Sequence, residues 1–82
     1  MNRDITMPVL SSDMEEGMIV TWHKSVGELV KVGEELVAIE TSKSTVIYES
    51  PVTGILAEIV VSPQSTVRVG AVIARVSDPH EA

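Results

Sequence analysis

Cysteine and phenylalanine are both missing from the 82 residues, and Trp22 and Tyr48 are the only aromatic side chains. Without cysteine there is no disulfide framework and no thiolate metal site. That composition fits a reducing compartment. Basic residues are few, six against twelve acidic ones, and the net charge is −6. They are scattered and form no stripe along which a phosphate backbone could lie, which argues against nucleic-acid binding. An acidic surface repels anionic membranes and suits basic partner surfaces. No apolar run approaches the roughly 20 residues of a membrane span. The start, "MNRDITMPVL", carries neither the apolar block of a signal peptide nor an Arg-rich amphipathic leader. The expected location is the cytoplasm of a bacterium, or the mitochondrial matrix if the chain is processed.

What the chain has instead is valine, isoleucine and leucine, an aliphatic and largely β-branched supply that favours pleated sheet. A chain of this length buries only a little over roughly 60% of its unfolded surface, so it makes one small domain. Glycine and proline punctuate it at short intervals, at Pro8, Gly17, Gly27, Gly33, Pro51, Gly54, Pro63, Gly70 and Pro79. The pieces between them have strand length rather than helix length. Strands are predicted near residues 5–8, 18–24, 36–41, 45–49, 55–61 and 72–76, with two very short ones near 29–30 and 66–67. "SVGELVKVGEELVAIE" has apolar residues about three apart, as a helix would. Gly27 and Gly33 inside it each cost roughly 1 kcal/mol in a helix interior, which argues against a helix.

An internal repeat sets the architecture. Shifted by 37 residues, "GMIVTWHKSVGELVKVGEELVAIE" from Gly17 lies over "GILAEIVVSPQSTVRVGAVIARVS" from Gly54. Ile19 meets Leu56, Trp22 meets Ile59, Val30 meets Val67, Gly33 meets Gly70, Leu36 meets Ile73 and Ile39 meets Val76. Upstream, Val9 and Leu10 meet Val46 and Ile47 at the same offset. Each half has about four short strands and cannot cover its own apolar face. Two halves packed face to face can. The expected fold is therefore all-β, a flattened barrel or sandwich of two antiparallel sheets related by an approximate two-fold axis. The spacing of three from Ile19 to Trp22, and from Leu56 to Ile59, breaks the strand period of two and predicts a bulge in each half.

Between two of the predicted strands lies "TSKS", with Lys43 at a hairpin tip. Its counterparts at the offset of 37 are Thr6 and His80, near the two ends of the chain. The two-fold then places Lys43 at one end of the domain and both termini at the other. A protruding tip is a poor place for a catalytic pocket and a good place to present a group. An amine there becomes a durable attachment point when a carboxylic acid is joined to it as an amide.

From Ile5 to Val76 the chain resembles the lipoyl domain of the acyltransferase component of 2-oxo acid dehydrogenase complexes. The resemblance rests on "MPVLSSDMEEGMIVTWHKSVGELVKVGEELVAIETSK" and the later "SPVTGIL". It implies that Lys43 carries lipoate in amide linkage. The arm would take an acyl group from a thiamine-dependent 2-oxo acid decarboxylase, pass it to coenzyme A at an acyltransferase core, and be reoxidised by dihydrolipoamide dehydrogenase. A lipoate–protein ligase or lipoyl transferase would install it. On this reading the domain is a non-catalytic carrier, residues 1–77, and residues 78–82 begin a linker to the rest of an acyltransferase. The chemistry belongs to the cofactor, and the protein supplies position and recognition.

The resemblance has two departures. Ser42-Lys43-Ser44 stands where the family most often has Asp-Lys-Ala, and Ser11 where a glycine often follows "MP.L". The missing acid beside the lysine bears on recognition by the decarboxylase. Glu40 keeps a carboxylate three residues before Lys43, a position that helps the modifying enzyme in the family. Asp13, Glu15 and Glu16 form a polar loop before Gly17 that contributes to partner choice there. The resemblance also puts Ser42, Ser44 and Gly54 among the residues expected to bear on recognition by the ligase or partner. By themselves Glu40 and the loop acids read as solvated charges, and Gly54, like the other glycines, as a turn, bulge or close-approach residue. Trp22 reads as core or rim. His23 and His80 have no partners with ligand spacing, so no metal site is expected. No nucleophile triad or phosphate loop has its motif context. Three other readings stand beside the lipoyl one. A biotin carrier shares the architecture but usually has methionines flanking the lysine. An unmodified interaction module is a second. The glycine-cleavage carrier is a longer chain than this.

Overall fold

The computed structural model describes residues 3–78. Residues 79–82, most of the expected linker start and His80 with it, lie outside the described residues. The elements are β1 (Arg3–Thr6), β2 (Glu16–Trp22), β3 (Leu29–Val30), β4 (Glu35–Glu40), β5 (Thr45–Glu49), β6 (Gly54–Ile59), β7 (Thr66–Arg68) and β8 (Val72–Ser77). There is no helix among the described residues. Gly27 and Gly33, the residues that argue against one, both sit at positive φ in turns. The strands form two four-stranded antiparallel sheets, in the orders β1-β8-β6-β3 and β5-β4-β2-β7. Exchanging β1 with β5, β8 with β4, β6 with β2 and β3 with β7 converts one order into the other.

The bulges follow the same exchange. Pairing slips between Ile19 and Thr21 in β2, and between Leu56 and Glu58 in β6. A second pair of slips leaves Leu36 in β4 and Ile73 in β8 unpaired with the edge strands. Each bulge adds a residue on one strand and so changes which side chains face inward. Both Leu36 and Ile73 are fully buried, next to the equally buried Val37 and Ala74. The core between the sheets is completed by Ile5, Met7, Ile19, Val30, Ile39, Leu56 and Val76. Trp22 lies half-buried at its rim, its indole N–H donating to the Val61 carbonyl at 3.0 Å. No buried side-chain polar atom lacks a partner among the described residues.

One expected correspondence is corrected. Strands β1 and β5 do not match at an offset of 37. Arg3, Asp4 and Ile5 pair with Val76, Arg75 and Ala74, while Val46, Ile47 and Tyr48 pair with Ile39, Ala38 and Val37. The strands therefore superpose at an offset of 43, and Val9 and Leu10 lie beyond β1. The main chain just past each strand agrees. Met7 accepts from Gly70 and donates to Ala71, as Ser50 accepts from Gly33 and donates to Glu34. At this offset "MPVL" lies on "SPVT". The surplus of 43 over 37 is six residues, and these are Ser11 to Glu16, between Leu10 and Gly17. The β1–β2 connection thus holds a six-residue insert that the β5–β6 connection lacks. It also follows that β1 ends before Pro8, which has no N–H to give a sheet.

Candidate functional site: the Lys43 hairpin

Strands β4 and β5 are joined by a tight turn at residues 41–44. Thr41 builds it. Its N–H and its hydroxyl both donate to the Ser44 carbonyl, at 2.8 and 3.0 Å. The same hydroxyl accepts from the Lys43 and Ser44 N–H groups, each at 3.2 Å. Ser42, Lys43 and Ser44 are exposed, and Thr41 is half-buried. The described chain ends lie at the other end of the sandwich, where Ser77 pairs with Ile55. The ends are placed as expected from the repeat, but Thr6 is not the counterpart of Lys43: it pairs with Val72 and leads into Met7 beside Gly70, away from Ser77.

The six-residue insert folds over the Lys43 end. Asp13 Oδ1 lies 3.4 Å from Lys43 Nζ, with the two side chains 68% and 63% exposed. A pair so exposed contributes at most about 1 kcal/mol and leaves the amine accessible. The Ser11 hydroxyl donates to Asp13 at 3.3 Å, the Val69 N–H donates to the Glu15 carbonyl at 3.0 Å, and Glu16 faces Arg68 across β2–β7. Glu40 ends β4, opposite Met18 on one side and Thr45 on the other. Between insert and hairpin runs a groove of about 400 Å³, rimmed by Asp13, Glu15, Glu16 and Glu40 and lined by Met14 and Met18. The structure thus brings together every sequence-predicted site residue except Gly54.

Gly54 lies at the opposite end, paired with Val30. A Cβ there would run into the Ser77 carbonyl oxygen and the Val76 side chain. Its role is close approach of two strands, far from the lysine. Thr41 is the residue that the sequence reading passed over. A hydroxyl residue two positions before the lysine, at the end of a strand, is the signature of a side chain closing its own turn.

The other two lysines have different surroundings. The Lys24 side chain is 17% exposed and is held by Glu34 at 3.4 Å and Glu28 at 4.0 Å. Lys31 lies on the turn before Gly33, at the far end, where the Glu34 carboxylate accepts its main-chain N–H. No cluster of metal-ligating side chains occurs among the described residues. Among the described residues, this all-β sandwich presents the exposed Lys43 amine on a closed turn, at the end away from Arg3 and Ser77.

The chain belongs to the biotin- and lipoyl-attachment domain family, whose model, described as "Biotin-requiring enzyme", matches residues 3–76. Within it, this is a lipoyl domain of the kind found in acyltransferase components of 2-oxo acid dehydrogenase complexes. It is 43% identical over 79 residues to the dihydrolipoyllysine-residue acetyltransferase component of the pyruvate dehydrogenase complex of Corynebacterium glutamicum. That match takes in 96% of this chain and 12% of the relative. The solution structure of the lipoyl domain of the Azotobacter vinelandii 2-oxoglutarate dehydrogenase complex superposes with a TM-score of 0.74 at 35% identity, covering 92% of this chain and 95% of that one. A single-chain long-chain acyl-CoA carboxylase superposes with a TM-score of 0.76 at 17% identity, covering 94% of this chain and 7% of that one, a likeness of fold alone. Lipoyl domains carry lipoate covalently on a lysine, and they carry rather than catalyse.

Proposed function

We propose that Lys43 is the lipoylated residue, and that the domain shuttles acyl groups and reducing equivalents within a 2-oxo acid dehydrogenase complex. The observation that carries this is the exposed Lys43 amine on a turn closed by Thr41, at the end of the sandwich away from the described chain ends. Bound there, lipoate supplies a dithiolane that takes up an acyl group with two electrons and gives each up again. The residues of the chain do the rest. Thr41 holds the turn, the lysine stem gives reach, and the far-end attachment of the chain leaves the tip free to visit successive active sites.

The partners on this reading are a lipoate–protein ligase or lipoyl transferase, a thiamine-dependent decarboxylase, an acyltransferase core and dihydrolipoamide dehydrogenase. Asp13, Glu15, Glu16 and Glu40 supply a negative rim suited to a basic surface on the decarboxylase. Glu40 offers the ligase a carboxylate at the strand end beside the tip.

The test is intact mass followed by peptide mapping, after incubation with lipoate–protein ligase, lipoate and ATP, with biotin ligase and biotin in parallel. A single lipoyl increment on Lys43 is expected. Biotin on Lys43 would make the domain a carboxylase carrier, and modification of Lys24 or Lys31 would overturn the assignment of the site.

A further inference from the structure

We propose that Thr41 is a positioning residue for the modification of Lys43, acting through the main chain of the turn; this rests on the reading that Lys43 is lipoylated. A threonine hydroxyl has one hydrogen to donate and two lone pairs to accept with. At Thr41 all three are used inside the turn. The hydrogen goes to the Ser44 carbonyl, and the lone pairs receive the N–H groups of Lys43 and Ser44. A fourth bond, from the Thr41 N–H to the same carbonyl, closes the ring. The hydroxyls of Ser42 and Ser44, by contrast, bond to nothing among the described residues.

The tip therefore has one built-in clamp, and that clamp grips backbone. Lys43 projects from a Cα whose direction is set before any enzyme arrives. The Asp13 carboxylate does not replace this, because its contact is with the mobile end of an exposed stem. Amide formation brings the Lys43 amine to an activated acyl group supplied by the modifying enzyme. The N–C bond forms, the acyl–oxygen bond to the leaving adenylate breaks, and the amine gives up a proton to solvent. A tip that is already ordered loses less conformational freedom on docking than a free loop. Because the clamp uses only main-chain groups of residues 43 and 44, the side chains beside the lysine are free to vary. Ser42 and Ser44 then serve as well as other neighbours for presenting the amine.

Three forms of the domain, wild type, Thr41→Val and Thr41→Ser, are compared by ligase kinetics over a range of domain concentrations. Amide exchange at Lys43 and Ser44 and thermal melting are measured on the same samples. Valine keeps the shape of threonine without the hydroxyl, and the freed N–H groups at the exposed tip are taken up by water. Melting should move little. Exchange at the two amides should quicken, and kcat/KM for lipoylation should fall about ten-fold, mostly through KM, as the loss of roughly one net hydrogen bond implies. Thr41→Ser should restore both. A Thr41→Val domain lipoylated at the wild-type rate overturns the proposal, as does one whose amides remain protected. A wild-type domain that takes up no lipoate overturns the Lys43 reading and the proposal with it.

Discussion

The two halves of this sandwich share strand order, four bulges and a core, yet only one end of the molecule is equipped to present a group. The difference lies in the connections. After Ser50-Pro51-Val52-Thr53 the second half goes straight to Gly54. After Met7-Pro8-Val9-Leu10 the first half inserts Ser-Ser-Asp-Met-Glu-Glu before Gly17. Across the two-fold, the Lys43 turn corresponds to the gap between the chain ends. The fold's symmetry supplies a stable platform, and its two breaks, an insert and an uncut hairpin, fall together at one end. Function sits in a site grafted on a fold that could be otherwise symmetric.

The sharpest way to break this comparison is to remove the lysine. Lys43→Ala or Lys43→Arg should abolish lipoylation and acyl carriage completely, with melting unchanged, because an exposed tip contributes little packing. A large fall in melting temperature would show that the tip is part of the framework.

Removing the insert tests the other break. Joining Leu10 directly to Gly17 copies the connection of the second half, where Thr53 runs straight into Gly54. The domain should still fold, with the loss of Met14 packing and of the Glu15–Val69 bond costing about 1–3 kcal/mol. Reductive acylation by the decarboxylase should lose most of its rate while ligase-catalysed lipoylation survives. Equal loss of both would show that the insert shapes the hairpin rather than the partner surface.

Gly17 and Gly54 are counterparts with unequal surroundings. A methyl at Gly54 meets the Ser77 carbonyl, whereas one at Gly17 meets side-chain atoms of Ile39 and Met14 at 2.9 Å. Backbone cannot give way as a methionine tip can. Gly54→Ala should cost about 3 kcal/mol and Gly17→Ala about 1 kcal/mol in urea unfolding. Similar losses would mean that the two sheets yield equally at these points.

A smaller asymmetry concerns Gly27 and Gln64, which share a turn position at φ of 97° and 73°. Gly27→Gln should cost about 1 kcal/mol, because a side chain is disfavoured in the left-handed region. Gln64→Gly should change stability by less than about 0.5 kcal/mol, since relief of strain offsets the added freedom of the unfolded chain.

The smallest expected effect is acid sensitivity at Glu34, whose counterpart is Ala71. The Lys31 N–H bonded to its carboxylate, aided by Lys24, holds Glu34 below its ordinary value of 4.5. A lowered folded value means that its contribution is present above about pH 4.5 and is lost as pH falls through the folded value. Glu34→Gln should flatten part of the acid limb of stability below about pH 4.5 and leave neutral pH nearly unchanged. An identical acid limb would place the dependence on other carboxylates.

Much of this was legible in the sequence. The spacing of glycines and prolines gave strands within a residue or two over most of the chain, and β3 and β5 end where expected. The Ile19–Trp22 and Leu56–Ile59 spacings located one bulge per half. The second bulge of each half, at Leu36 and Ile73, has no such mark, because the apolar residues Leu36-Val37 and Ile73-Ala74 run on without a change of spacing. The resemblance carried Lys43, Glu40 and the acidic loop to positions that the structure gathers at one end. Gly54 was misplaced in that group, because its motif position says nothing about which end of a strand it occupies.

By itself the sequence determined an all-β domain of two similar halves with a lysine on a turn, because residue periodicity and glycine placement act locally and survive in one dimension. Tertiary structure alone decided the rest. The register of β1 against β8 replaced an offset of 37 with one of 43 and exposed the insert. It brought Asp13 to Lys43 across 30 positions of chain, and it placed Gly54 against a carbonyl. These are pairings between distant segments, set by which edge strand lies beside which centre strand and by how far it slides.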